Sequence, residues 1–142
     1  MEIAALVAWV VTALGGFVLL SRWIAGGGLR GQQTGDSRFP APLVFGHFLL
    51  AAAGLVVWIV YLAADKDGLA WTSFGILVVV ALLGFTLFAR WLPVHRATTP
   101  APQDTTAPPE RQLPVPVVLA HGLLGATTLV LVLLAALEVG GS

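Results

Sequence analysis

Four apolar runs, separated by polar connections, make up most of the chain. They cover about 3–25, 43–64, 69–89 and 115–137, and none carries Asp, Glu, Lys or Arg in its interior. A helix needs about 20 such residues to cross a bilayer core. Within lipid the backbone must satisfy its own hydrogen bonds, which selects helices over open strands. The pattern therefore predicts an all-α integral membrane protein with four transmembrane helices. Trp23, Tyr61, Trp71 and Trp91 stand near the ends of the runs, where aromatic belts form. Only Met1 and Glu2 precede the first run. It lacks the basic start of a signal peptide and is longer than a signal-peptide core, so it is expected to remain as a helix.

The pattern also repeats. The first run ends in GFVLLSRW (16–23) and the third in GFTLFARW (84–91), an offset of 68 residues. The second run is entered through FPAPLVFGHFLLA (39–51) and the fourth through LPVPVVLAHGLLG (113–125), an offset of 74. The second copy therefore has six extra residues in its internal connection. Each half reads as helix, Arg-Trp, loop, Pro-x-Pro, histidine helix. The expected organisation is a tandem duplication of a two-helix unit, 1–64 and 65–142. Two helices return the chain to its starting side, so the copies would be parallel repeats about a pseudo-twofold axis along the membrane normal. Pro-x-Pro suits a helix start, because proline is tolerated in a first turn. Connection 24–41 is rich in glycine. Connection 92–114 is rich in Pro and Thr and is expected to be flexible.

Composition agrees with this class: 58% of residues are hydrophobic and 10% charged, too apolar for a soluble domain of this size. The chain has no cysteine, which excludes disulfides, thiolate metal sites and Cys-linked haem. Formal net charge is zero, and no basic helix points to nucleic acid. Six of the seven basic residues, Arg22, Arg30, Arg38, Arg90, Arg96 and Arg111, lie on the two long connections or at the helix ends that lead into them. The positive-inside rule then places 24–41 and 92–114 in the cytoplasm and both termini outside, in a cell (plasma) membrane.

What remains is a pair of histidines. His47 and His121 lie five residues after the second proline of each Pro-x-Pro, roughly 8 Å down their helices at 1.5 Å per residue. An ionisable residue inside a membrane helix is a candidate functional group. In a bundle of ring order 1-2-3-4 the second and fourth helices are diagonal, so the two imidazoles would face each other at one depth. Two in-line imidazoles suit the axial positions of haem b. Ala51 and Gly54, four and seven residues after His47, and Gly125 and Thr128, placed likewise after His121, are small and lie on the histidine face, leaving room for a flat macrocycle. Arg22 and Arg90 are equivalent and lie at the histidine end, where they could pair with propionates. The general resemblance is to small membrane cytochromes b, and it rests on the histidine pair and the helix count. It implies electron transfer within or beside a membrane redox complex, with other membrane subunits, redox partners or a quinone as partners.

The same residues fit a plainer role. Buried histidines also bond neighbouring helices, and small residues also allow close packing. Thr127 and Thr128 could bond their own helix. The alternative function is a cofactor-free accessory or anchor subunit of a larger membrane complex. Zinc is a poorer fit, since it wants four ligands and the runs offer only two. His95, in LPVHRA after the third run, has no counterpart in the first half and reads as interfacial. No carboxylate proton relay of a transporter and no hydrolase motif is present in the runs.

Overall fold

The computed structural model describes residues 1–96 and 107–141, the side chains of 139–141 apart. Every element among the described residues is helical: α1 (Glu2–Ala25), α2 (Gly31–Thr34), α3 (Ala41–Ala64), α4 (Asp67–Arg96), a 3-10 turn at Pro109–Gln112, and α5 (Val115–Gly141). Four of the helices, α1, α3, α4 and α5, are long and apolar enough to cross a membrane.

Local chemistry explains the helix ends. Pro40 precedes α3 with extended backbone, and Pro42 occupies its first turn. The carbonyls of Pro40 and Pro114 each accept from the residues three and four further on, at 3.0–3.2 Å. Thus both histidine helices begin on their Pro-x-Pro. Between α3 and α4 the chain turns at Asp65, whose φ of 51° is left-handed; aspartate tolerates that region better than most side chains. The third apolar run is expected to end near 89, but α4 continues through Pro93 to Arg96. Proline inside a helix removes one backbone bond. Here the last turn keeps Trp91 and Val94 buried, and His95 stacks on Trp91 at 4.8 Å. Of the connection 92–114, residues 97–106 lie outside the described residues, so the expectation of flexibility there is not addressed by the structure.

Around the bundle α1 touches α3 and α5, and α4 touches α3 and α5. The diagonal pairs are therefore α1 with α4 and α3 with α5. Packing is closest between α3 and α4 and between α1 and α5, and sparsest between α1 and α3. Large apolar side chains such as Leu49, Leu82, Phe85, Leu119 and Leu123 point outward. A soluble domain would bury such side chains; lipid tolerates them.

Two apolar layers fill the bundle. One, at the end holding both termini, is built on Ala5, Trp9, Trp58, Tyr61, Ala70, Leu77, Val80, Val132, Ala135 and Ala136. Glu2 ties it off, accepting from the Tyr61 hydroxyl. The other lies at the loop end and is built on Trp23, Phe39, Val44, Trp91 and Leu113. The histidines stand between them: Val44 and Val118 in the loop-end layer lie one turn before His47 and His121.

Candidate functional site

His47 on α3 and His121 on α5 meet across the bundle, with ring centroids 6.1 Å apart and planes at 76°. Both rings are half-buried. Each is oriented from behind by a helix of the ring. Nδ1 of His47 lies 2.9 Å from the carbonyl of Val80 on α4, and Nδ1 of His121 lies 2.9 Å from the carbonyl of Thr12 on α1. A carbonyl can only accept, so in each bond Nδ1–H donates. In the neutral ring that leaves Nε2 with the free lone pair. The site thus presents two equivalent nitrogen donors in an apolar surround.

One turn along from each accepting carbonyl is a glycine. A Cβ built on Gly84 would stand 3.1 Å from Cε1 of His47, and one on Gly16 would stand 3.1 Å from Cε1 of His121. A real side chain seldom tolerates that distance. The glycines therefore let each imidazole lie against the neighbouring backbone. Gly15 also faces His121: a Cβ built on it would stand 3.6 Å from Nδ1. Thr12 joins the site in a second way: its hydroxyl lies 3.2 Å from that of Thr128. Thr127 and Thr128 also donate to their own helix, at Leu123 and Leu124.

The other sequence candidates are distributed unevenly. Gly125 faces Thr12, whose Cγ2 would lie an ordinary 3.8 Å from a Cβ built on the glycine. Ala51 packs against the terminal apolar layer. The space above Gly54 is filled by Trp9 and Ile76, at 3.0–3.1 Å from a built Cβ, and its carbonyl accepts from Ser73. Gly54 thus serves a helix crossing. Arg22 and Arg90 lie on exposed surface at the loop end, six residues beyond Gly16 and Gly84, or about 9 Å along the helix axis. Arg90 donates to the Arg38 carbonyl at 3.3 Å. His95 is exposed on Trp91 and does not join the pair. Among the described residues no three of His, Cys, Asp or Glu gather as for a metal ion.

Sequence reasoning missed Thr12, Val80, Gly16, Gly84 and Glu110. Gly16 and Gly84 are legible in hindsight, since both open the repeated GF–RW segment. Thr12 and Val80 act through their carbonyls, which any residue would supply. Glu110 is fully buried in the loop-end cap. Its Oε1 accepts from Trp23 Nε1 at 2.9 Å, Ser37 Oγ at 2.6 Å, and the backbone N–H groups of Arg38 and Phe39 at 3.1 Å each. Its Oε2 is buried without a partner among the described residues. No family model matches the chain, and neither a curated protein nor a solved structure does.

Proposed function

We propose that the protein is a small b-type membrane cytochrome that carries electrons within or beside a membrane redox complex. The observation that carries the reading is the pair of converging imidazoles, each with Nδ1–H held by a backbone carbonyl at 2.9 Å and Nε2 left free. Bonds of this kind from the ring nitrogen that faces away from a metal set the tautomer and orientation of metal-binding histidines. The spacing also fits. A metal–imidazole bond is about 2 Å and each ring adds about 1 Å to its centre, so two in-line ligands stand roughly 6 Å apart, against 6.1 Å between the rings. Gly15, Gly16 and Gly84 let the rings lie against the neighbouring backbone, which fixes their placement.

In this reading His47 and His121 hold haem iron through Nε2, and Arg22 and Arg90 pair with the propionates at the loop end. When bound, the group would supply a one-electron carrier. The protein's own part is to hold both tautomers, exclude water with the two apolar layers and bring anionic groups to arginine. The matched contacts favour a tandem duplication of a two-helix unit with parallel repeats. The distribution of arginines favours cytoplasmic loops 24–41 and 92–114 in a plasma membrane, where partner subunits or a quinone would be met. A cysteine at the exposed position Gln33 is then labelled by an impermeant reagent only after cells are opened.

A visible spectrum of the purified protein tests the main reading. The expected result is a low-spin b-type spectrum, lost or converted to high spin equally by His47→Ala and His121→Ala. Changing Arg22 and Arg90 together to Gln loosens the haem and shifts its potential. The second reading is a cofactor-free membrane subunit, which the histidine–carbonyl bonds between helices also favour as packing contacts. It predicts a colourless protein and a cost of only about 1–2 kcal/mol per histidine.

A further inference from the structure

The layer between the histidines and the loops is a roof, and it is only partly made of helix. Trp23, Val44 and Trp91 come from α1, α3 and α4, whereas Phe39 and Leu113 come from the two connections. One residue holds both of these loop contributions. The Glu110 carboxylate accepts from the Phe39 N–H at 3.1 Å, and the Glu110 carbonyl accepts from the Leu113 N–H at 3.2 Å. The same carboxylate oxygen binds Trp23, Ser37 and Arg38. It therefore joins the second connection to α1 and to the first connection at a single point.

That point is unevenly satisfied. Among the described residues Oε1 has four donors and Oε2 has none, although the whole side chain is buried. A buried carboxylate oxygen without a partner is costly, and water would relieve it. The closed arrangement is thus held by strong bonds to one oxygen and opposed by the dryness of the other, as a part that opens locally would be.

We propose that Glu110 is the latch of a two-loop roof over the histidine layer, and that water reaches His47 and His121 from the loop face when this latch opens. The inference rests on the two-ring site and is independent of what that site holds. On the opposite side the rings are closed off by the terminal layer, in which Trp58 and Ala135 are fully buried.

Exchange of the imidazole Cε1 hydrogen in D2O reads water access to each histidine separately, with the protein in lipid nanodiscs and peptides resolved by mass. His95, exposed outside the roof, is the internal reference. Glu110→Ala is expected to speed exchange about tenfold at His47 and His121, as local opening does, and to leave His95 unchanged. Ser37→Ala removes one of the four donors and gives a smaller rise at the same two rings. Unchanged rates at both rings, or an equal rise at His95, overturn the latch. If Glu110→Ala does not fold, Ser37→Ala decides alone, and its failure to raise exchange at the pair overturns the proposal. A visible spectrum recorded first separates the two readings. A haem-free protein overturns the cofactor and leaves the exchange test valid. In a haem-bearing protein the open latch is read as faster loss of haem to an apo-globin acceptor, and an unchanged loss rate overturns it.

Discussion

Seven residues beyond the glycine that faces a histidine, α1 carries Trp23 and α4 carries Trp91. At the level of the rings the two helices behave alike. Each gives one carbonyl to an imidazole at 2.9 Å and one glycine on which a Cβ would stand 3.1 Å from the ring. Two turns further on they part company. Trp23 donates to Glu110, while Trp91 stacks on His95. The acids concerned are themselves a matched pair: Asp36 and Glu110 differ by 74 positions, as His47 and His121 do, and each lies three residues before Phe39 or Leu113. Yet Glu110 is buried on four donors, and Asp36 is exposed and accepts from Thr34.

The difference teaches where matching sequence suffices and where it does not. In the bundle the partners of the rings are backbone groups at fixed positions on rigid helices, so matching segments give matching contacts. At the loop end the partners come from connections of unequal length and composition. The glutamate has one more methylene than the aspartate, and the second connection folds back so that it lands on α1. No rule of helix geometry imposes the same path on the first connection.

The strongest way to break this comparison is Glu110→Ala. It leaves Trp23 Nε1, Ser37 Oγ and two backbone N–H groups without their acceptor, and a loss of about 3 kcal/mol is expected, since each orphaned buried donor costs about 1–3 kcal/mol and some will find water. Thermal unfolding in detergent reads it; a change below about 1 kcal/mol would make the buried carboxylate incidental. Gly28→Ala comes next. A Cβ there would stand 2.2 Å from Trp23 Cε2, so the indole must leave its seat, at an expected cost of about 1–3 kcal/mol typical of overpacking. Loss of the Trp23 contribution to fluorescence would accompany it.

The matched half of the comparison is sharpened by Gly16→Ala and Gly84→Ala. Each puts a methyl 3.1 Å from a histidine Cε1, so each should cost about 1 kcal/mol through small shifts. The two costs should agree within about 0.5 kcal/mol, because distant equivalent sites add and compare simply. Clearly unequal costs in unfolding experiments would show that the two ring pockets are not alike in rigidity. The smallest effect is expected from Asp36→Ala, within about 0.5 kcal/mol of the parent as for other surface changes. A loss as large as that of Glu110→Ala would overturn the contrast between the two acids.

Much of the architecture was legible in the chain itself. The length and purity of the apolar runs determine four helices long and apolar enough to cross a membrane, since a run of about 20 apolar residues satisfies its own backbone only as a helix. Pro-x-Pro determines where α3 and α5 begin, and counting from it puts His47 and His121 at one depth. Those are local properties, read along one helix at a time. Tertiary structure decided what each face meets. Gly54 is as small as Gly84, but only the packing of α1 and α4 against α3 gives its space to Trp9 and Ile76, while Gly84 receives an imidazole. The carbonyls of Thr12 and Val80 carry no side-chain signature, so only the ring order selects them. Glu110 sits in a polar, proline-rich connection where composition points to solvent. Its burial follows from a fold-back that brings four donors of other segments to one oxygen, and no pattern within the connection encodes that meeting.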